Sequence, residues 1–334
     1  MERRLMRPGA APAPPWRYRE TDDGYGVTAS PNWRETDWAR ELKRIDVFGT
    51  PVNYVDVGTD SDEEEPVVLV HGLGGQWQNW LENIPRLALD RRVIAMDLPG
   101  FGLTPEPNDD EGITIPRYGR YVNELCDKLG LGQIELVGNS MGGYIAAEVA
   151  IQFPERVERL VLVSAAGISS AETLEAPILT AGRVVTAIAT NSASRYRRLA
   201  ARPFTRHLSL ILVARHPAAL KPDLVYEGFM KGAGKPGFDD ALRASLDYDF
   251  RERLPEVKVP TLIVWGEKDS IIPVRDADEF ERLIEDSRKV VMKDTGHISM
   301  AERPETFNDL LVDFLAETGA AQEKEPAEGE SQAV

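Results

Sequence analysis

The stretch Leu136-Val137-Gly138-Asn139-Ser140-Met141-Gly142-Gly143 contains the pattern Gly-x-Ser-x-Gly, with the serine at its centre. It stands between a short apolar segment, 133–137, and a segment, 144–153, whose apolar residues recur at helical spacing. A serine on so sharp a strand-to-helix turn is held exposed at the N-terminus of the following helix. Glycines are needed on either side because side chains there would collide with the strand or the helix. The stretch predicts a nucleophile at Ser140, but so short a pattern also arises by chance, and the prediction depends on finding its partners.

The composition excludes several other classes of function. The 334 residues are 42% hydrophobic, which is ordinary for a globular protein. A formal net charge of −16 argues against nucleic acid as a partner, because phosphate repels such a surface. Cys126 is the only cysteine, so no intrachain disulfide can form, and with only four histidines we expect neither a metal site nor a cofactor.

The ends of the chain show no targeting signal. Residues 1–20 are rich in Pro and Arg and lack the continuous apolar run of a signal peptide. No stretch of about 18 apolar residues occurs, so no membrane-spanning helix is predicted. The expected location is therefore the cytoplasm, and the oligomeric state is left open.

Strand and helix patterns alternate along the middle of the chain. Segments of alternating polarity on both sides of Gly49-Thr50-Pro51 predict a hairpin. Buried strands are predicted at the apolar runs 67–70, 92–96, 133–137, 160–163, 261–265 and 289–292. Helices are predicted at 77–89, 116–129, 144–153, 274–284 and 304–316. This order predicts an α/β fold with a mostly parallel central sheet and helices on both faces.

The regular alternation breaks in the region 167–253. Helical stretches such as 178–189 and 209–214 occur there without a convincing buried strand. We therefore expect an α/β core at 38–166 and 254–316, interrupted by a helical insertion at 167–253. The insertion carries an excess of basic residues in an acidic protein. We interpret this as a solvated helix face, with an anionic substrate or a lipid surface as the alternative.

The two ends of the chain are predicted to lie outside this core. Residues 1–37 form an N-terminal extension whose tryptophans, Trp33 among them, suggest that part of it packs against the body; disorder is the alternative. Residues 317–334 are rich in Ala and Glu and predict an acidic, disordered tail.

A serine nucleophile needs a base and an acid that orients the base. His297 follows the predicted strand 289–292, and Asp269 follows 261–265. Catalytic groups gather at the carboxyl ends of parallel strands, so we predict His297 as base and Asp269 as acid, with Glu267 as the nearest rival. Three other histidines have weaker claims: His207 and His216 lie in the insertion, and His71 lies in a glycine turn.

Two backbone N–H groups are expected to form an oxyanion hole. One belongs to Met141, the residue after the nucleophile, and the other to Leu73 in the glycine-rich loop after the strand 67–70. Asp97 also follows a strand, but its neighbours indicate a turn-forming, structural role.

Five segments together resemble the α/β-hydrolase superfamily, in the branch with a serine nucleophile and a helical cap. They read HGLGG at 71–75, DLPGFG at 97–102, GNSMGG at 138–143, WGEKD at 265–269 and TGH at 295–297. The order Ser140, Asp269, His297 is the chain order of that family. The resemblance runs from about residue 45 to 316, without most of the insertion, and implies that 167–253 is a cap over the active site.

The resemblance leaves the reaction open. We expect a carboxylic ester hydrolase: His297 takes the Ser140 proton, an acyl-enzyme forms, and water resolves it. The expected partner is a small-molecule ester with an apolar acyl or alcohol part, because the insertion is rich in Leu, Ile, Val and Ala.

Two alternatives remain beside the ester. GNSMGG also resembles the nucleophile elbow, the strand-to-helix turn that carries the nucleophile, of hydrolases that cleave carbon–carbon bonds in meta-cleavage products of aromatic degradation. Those enzymes resemble one another in a Gly-Pro-Gly type oxyanion loop and tend to carry Trp after the histidine, whereas this chain has Leu73-Gly74-Gly75 and Ile298. The third reading is a non-catalytic, ligand-binding member of the fold, against which the complete triad argues.

Overall fold

The computed structural model describes residues 21–60, 64–169, 193–231 and 236–317, and within them a single twisted sheet forms the centre. Its strands are β1 (Leu42–Val47), β2 (Thr50–Val57), β3 (Val67–Val70), β4 (Val93–Met96), β5 (Ile134–Asn139), β6 (Val157–Val163), β7 (Thr261–Gly266) and β8 (Ser287–Met292). The spatial order is β1-β2-β4-β3-β5-β6-β7-β8. β1 with β2 and β2 with β4 are antiparallel pairs, and every other neighbouring pair is parallel.

The described helices pack on both faces of this sheet or follow β6 in the insertion. They are α1 (Trp38–Glu41), α2 (Ile84–Leu87), α3 (Ile115–Lys128), α4 (Met141–Gln152), α5 (Ala193–Ala201), α6 (Pro203–Leu210), α7 (Pro222–Leu224), α8 (Phe238–Asp247), α9 (Arg275–Leu283), α10 (Ser299–Glu302) and α11 (Pro304–Leu315). A π-helical segment, Val225–Met230, continues α7.

Successive residues of each central strand face opposite sides of the sheet, and each side has its own apolar core. In β3, Val68 and Val70 belong to the core that contains α3, α4 and α9, whereas Val67 and Leu69 belong to the core that contains α2 and α11. A parallel strand covered on both faces needs apolar residues at every position. The continuous apolar runs of the sequence therefore correspond to strands, and the predicted α/β fold with a mostly parallel sheet is confirmed. The prediction that the strand at 289–292 is buried is wrong, because β8 lies at the edge of the sheet and is mostly only partly buried.

The predicted helix at 77–89 is wrong in its continuity. The structure has a 3₁₀ turn at Trp77–Trp80 and a separate short helix, α2, with Pro85 in its first turn. Proline has no N–H to donate to the preceding turn and favours the start of a helix, so the chain restarts there.

The insertion departs from the prediction in a similar way. The helix expected at 209–214 is instead α6, which ends at Leu210 in a turn whose N–H groups, from Val213 and Ala214, bond to the Leu210 carbonyl. The helix predicted at 178–189 lies outside the described residues, as does nearly all of the acidic tail.

The described part of the N-terminal segment, from residue 21, packs against the body. Tyr25 and Trp33 are buried, and the Trp33 indole Nε1 donates to Glu82 Oε1 at 3.0 Å. The packing expected of Trp33 is thus observed. Among the described residues, no helix is both long enough and apolar enough to cross a membrane.

Candidate active site

Ser140 stands at the junction of β5 and α4 in a conformation that few non-glycine residues adopt. Its φ is 58° and its ψ is −120°, a region that costs an L-residue free energy and that is concentrated at functional sites. The backbone is fixed on both sides: Ser140 N donates to Val163 O at 2.9 Å, and Ser140 O accepts from Ala166 N at 3.0 Å. β5, β6 and the loop after β6 therefore hold the serine in place.

The flanking glycines are required by contact. A Cβ at Gly138 would lie 2.1 Å from Gly142 O, and a Cβ at Gly142 would lie 2.2 Å from Val70 O. Both distances are impossible for real atoms, so the tight turn depends on glycine at each position, as the sequence predicts.

His297 and Asp269 are brought together from the loops after β8 and β7. His297 Nδ1 lies 2.7 Å from Asp269 Oδ2, and the two side chains are 5% and 0% exposed. Asp269 Oδ1 accepts from the N–H groups of Ile271 and Ile272 at 2.8 and 3.0 Å. An ionised carboxylate only accepts, so the imidazole carries its proton on Nδ1, and its Nε2 lone pair is the atom that can take a proton.

Asn139 connects the histidine loop to the elbow. Its Nδ2 donates to Val163 O at 3.1 Å and to His297 O at 3.3 Å. The residue before the serine is thus hydrogen-bonded to the backbone of the histidine. This contact could not be predicted from the motif, because Asn139 occupies one of its variable positions.

The glycine-rich loop after β3 lies against the serine. A Cβ at Gly72 would lie 3.0 Å from Ser140 Cβ and 3.2 Å from Asn139 O, so Leu73 follows a residue in direct contact with the elbow. Met141 is the first residue of α4, where helical N–H groups have no acceptor within the helix. Leu73 thus follows a residue that contacts Ser140, Met141 follows Ser140 itself, and the oxyanion hole stays a prediction.

His71 is a structural residue. Its Nδ1 lies 2.7 Å from Gly72 O and its Nε2 accepts from Leu98 N at 3.0 Å, which assigns the proton to Nδ1. Complete burial lowers the pKa of His71 to about 4. The imidazole stays neutral and joins the loops after β3 and β4.

The other two acidic candidates, Asp97 and Glu267, accept hydrogen bonds from other residues and not from His297. Asp97 accepts from the N–H groups of Trp77 and Leu103, both at 2.8 Å, as a turn-forming residue does. Glu267 is exposed and accepts from Asp294 N at 3.0 Å. Neither carboxylate is the one that faces His297.

His207 and His216 lie in the insertion and not in the strand-to-helix turn that carries Ser140. His216 Nε2 is 2.7 Å from Asp294 Oδ2, and His207 is a half-buried residue of α6. No group of three potential metal ligands occurs among the residues that the structure describes.

Glu302 is a buried carboxylate that the sequence analysis also missed. Burial raises its pKa above the ordinary value, while hydrogen bonds from its donors oppose that rise. The donors are Tyr25 Oη at 2.5 Å, Arg215 N at 2.8 Å, Gly296 N at 3.0 Å and Ile298 N at 3.3 Å. Gly296 and Ile298 flank His297, so Glu302 holds the histidine loop from both sides. The sequence signal that could have identified Glu302 is its charge, because it follows the mostly apolar segment after TGH.

The insertion contacts this edge of the sheet at three loops. His297 N donates to Val213 O at 2.9 Å. A Cβ at Gly100 would lie 2.8 Å from Gly237 Cα, and one at Gly74 would lie 3.3 Å from the Phe238 ring. The described parts of the insertion therefore pack on the loops after β3, β4 and β8, and two of these loops carry candidate site residues, Leu73 and His297.

Comparison with known proteins gives consistent results. The family described as the α/β-hydrolase fold matches residues 65–304. A 2-hydroxy-6-oxo-2,4-heptadienoate hydrolase of Pseudomonas putida is 35% identical over 279 residues, which is 80% of this chain and 94% of that protein. A 2-hydroxymuconate semialdehyde hydrolase of a Pseudomonas species is 34% identical, over 78% of this chain and 90% of its own.

The similarity extends to solved structures. A bacterial membrane phospholipase A superposes with a TM-score of 0.64 and 28% identity, covering 82% of this chain and 85% of that one. The eight-stranded sheet, the strained serine between strand and helix, and the match over residues 65–304 agree with one another. The chain belongs to the α/β-hydrolase family.

Proposed function

We propose that this chain is a serine hydrolase that cleaves a carbon–carbon bond beside a ketone in a 2-hydroxy-6-oxo-dienoate. The observation that carries the proposal is the 2.7 Å contact between His297 Nδ1 and Asp269 Oδ2 next to the Ser140 elbow. The choice of substrate rests on relatives 35% and 34% identical that are named for such compounds. The sequence alone favoured an ester as the substrate. Because of these relatives, we place carbon–carbon bond cleavage ahead of ester hydrolysis.

In this proposal each site residue has one role. His297 Nε2 accepts the Ser140 proton as Oγ attacks the C6 ketone, and Asp269 stabilises the imidazolium that forms. The N–H groups of Leu73 and Met141 stabilise the oxyanion.

The bond that breaks follows from the chemistry of the substrate. In the keto tautomer, in which the 2-hydroxyl proton has moved to C5, the electron pair of the C5–C6 bond can leave as a dienolate delocalised onto the 2-oxo group. The dienolate oxygen takes the proton held by His297 and becomes the 2-hydroxyl group of the product. The C6 fragment remains on Ser140 as an ester, which one water hydrolyses to a carboxylic acid while Ser140 regains its proton through His297. The heptadienoate and one water would thus give acetate and 2-hydroxypenta-2,4-dienoate.

We also propose that residues 167–253 cap this site and shape its specificity. Support comes from the described contacts of the insertion with the loops that carry Leu73 and His297, through Phe238 and Val213. A cover of this kind excludes water until the ester intermediate has formed.

Hydrolysis of a carboxylic ester is the second candidate, and two observations favour it. The chain has Leu73-Gly74-Gly75 and Ile298 where the carbon–carbon hydrolases carry other residues. A phospholipase is also among the similar structures, at 28% identity. The same nucleophile, base and oxyanion donors would serve this reaction.

A two-substrate assay separates the candidates. We expect 2-hydroxy-6-oxo-2,4-heptadienoate to be consumed with kcat/KM at least about 100-fold above that of any p-nitrophenyl ester in a chain-length series. Acetate should appear in equal amount, and Ser140→Ala should abolish both activities. The opposite ratio would select the ester. Absence of turnover together with absence of fluorophosphonate labelling at Ser140 would overturn the enzymatic proposal and leave a ligand-binding protein.

A further inference from the structure

Helix α6 exposes an apolar face. Phe204, Leu208, Ile211 and Leu212 are 51%, 57%, 48% and 40% exposed. Their spacing of four, seven and eight residues places them on one side of the helix and the turn that continues it. Leu210 and Arg206, on the other side, are buried. We call the four exposed residues the α6 face.

The surroundings of this face are cationic in an acidic protein. The segment 193–221 contains six arginines, one lysine and no acidic residue, whereas the whole chain carries −16. Arg197, Arg198 and Arg202, on α5 and at its junction with α6, are exposed. The Arg197 side chain is 74% exposed even though Glu227 lies 3.5 Å away. Charges act within about one Debye length, roughly 8 Å, so the arginines on α5 and at its junction with α6 add positive potential where a surface meets α6.

Arg206, unlike the exposed arginines, is buried and binds backbone carbonyls. Its two terminal nitrogens each lie 2.7 Å from a backbone carbonyl, one of Ala200 and one of Ala218. It therefore joins α5, α6 and the following 3₁₀ turn into one scaffold, so the α6 face and the exposed arginines have a fixed relation to each other.

We propose that the α6 face docks on an anionic lipid surface. Apolar side chains on a helix flanked by arginines enter the boundary between headgroups and acyl chains, while the guanidinium groups pair with lipid phosphates. The four partly exposed side chains of the α6 face form a much smaller patch than the ~800 Å², or about 20–30 residues, that each partner buries in a standard protein interface. A second copy would also bring two positive segments together, which opposes dimerisation through this face.

The docking surface is connected to the candidate site. Val213 lies three residues beyond the end of α6, and its carbonyl accepts from His297 N at 2.9 Å. Three residues span at most about 11 Å. A docked α6 would therefore hold the histidine loop close to the lipid surface.

Vesicle co-sedimentation tests the docking without relying on the proposed reaction. Binding is measured with vesicles of phosphatidylcholine containing about one third phosphatidylglycerol, and with phosphatidylcholine alone, at about 0.1 M salt. We expect clear binding to the anionic vesicles only. The double variant Leu208→Ser/Ile211→Ser should bind at least about tenfold more weakly, and Arg202→Gln about fivefold more weakly.

The matched control uses exposed leucines elsewhere. Leu89 and Leu103 are 61% and 50% exposed, and the variant Leu89→Ser/Leu103→Ser should bind vesicles as the unmodified protein does. All variants are compared by unfolding midpoint, so that a loss of binding is read only from folded protein. Equal loss in the control variant, equal binding to neutral vesicles, or no binding to anionic vesicles would each overturn the proposal. A dimer in sedimentation velocity that the Leu208→Ser/Ile211→Ser variant abolishes would overturn it in favour of a second copy.

Discussion

Replacement of Glu302 by glutamine tests how the histidine loop is held. The change keeps the shape of the side chain and removes one acceptor oxygen. Glu302 Oε1 accepts from Gly296 N and Ile298 N, and Oε2 accepts from Tyr25 Oη, Arg215 N and Gly296 N. Whichever way the new amide is turned, its NH₂ group faces at least one backbone N–H that donated before.

The magnitude follows from these contacts. A buried donor left without its acceptor costs about 1–3 kcal/mol, and a hydrogen bond to a charged group contributes about 1.5–3 kcal/mol. Glu302→Gln loses one or two such bonds without creating a cavity, so we expect the free energy of unfolding to fall by about 2–5 kcal/mol. Since Gly296 and Ile298 flank His297, the reactivity of Ser140 should fall as well, even in molecules that remain folded.

Urea unfolding measures the first effect, and the rate of fluorophosphonate labelling at a temperature where the variant is folded measures the second. Glu148→Gln is the matched control, because Glu148 is also fully buried and accepts from Tyr248 Oη at 2.8 Å and Arg253 Nη1 at 3.0 Å, away from the histidine loop. It should lose stability and keep its labelling rate. If both variants label at the unmodified rate when folded, Glu302 stabilises the fold without positioning His297, and the reasoning is refuted.

Three further predictions concern the acid and two buried titratable groups. Asp269→Asn should lower turnover by roughly 10⁴, as loss of the orienting acid does in a serine protease, whereas Glu267→Gln should leave turnover unchanged in the same steady-state assay. The pKa of His71 is lowered to about 4, so the folded state binds fewer protons than the unfolded state between about pH 4 and 6.5. Urea titrations should therefore show the free energy of unfolding falling by up to ~3 kcal/mol as the pH falls through that window. Burial raises the pKa of Glu135 to about 7, so its protonated form favours folding. The free energy of unfolding should fall by at most ~3 kcal/mol as the pH rises from about 4.5 to 7. A Glu135→Gln variant whose free energy of unfolding has the same dependence on pH would contradict this.

The sequence predicts those features that local pattern determines. The central strands could be placed because a strand buried on both faces needs a continuous apolar run. The elbow could be placed because only glycine fits at Gly138 and Gly142. The prediction of Asp269 as acid and His297 as base followed from one topological rule, that strand ends of a parallel sheet share an edge.

Features that depend on distant contacts could not be predicted in this way. Tyr25 and Glu302 are separated by 277 positions, and no local pattern signals their hydrogen bond. The helix expected at 209–214 failed for a related reason, because the turn that ends α6 leaves the Val213 carbonyl to accept from His297 N. The predicted helix at 77–89 was a local error, since Pro85 lies within it.

The histidine loop depends on two distant parts of the chain at once. Val213 accepts from His297 N, while Glu302 ties the loop to the insertion through Arg215 and to the N-terminal segment through Tyr25. The segment that would cover the substrate is therefore also part of the structure that orients the proposed base. A substitution in the insertion that alters which substrate fits will displace the same backbone that carries His297. Affinity and turnover should consequently change together along residues 213–215, whereas changes on the exposed side of α6 should leave both intact.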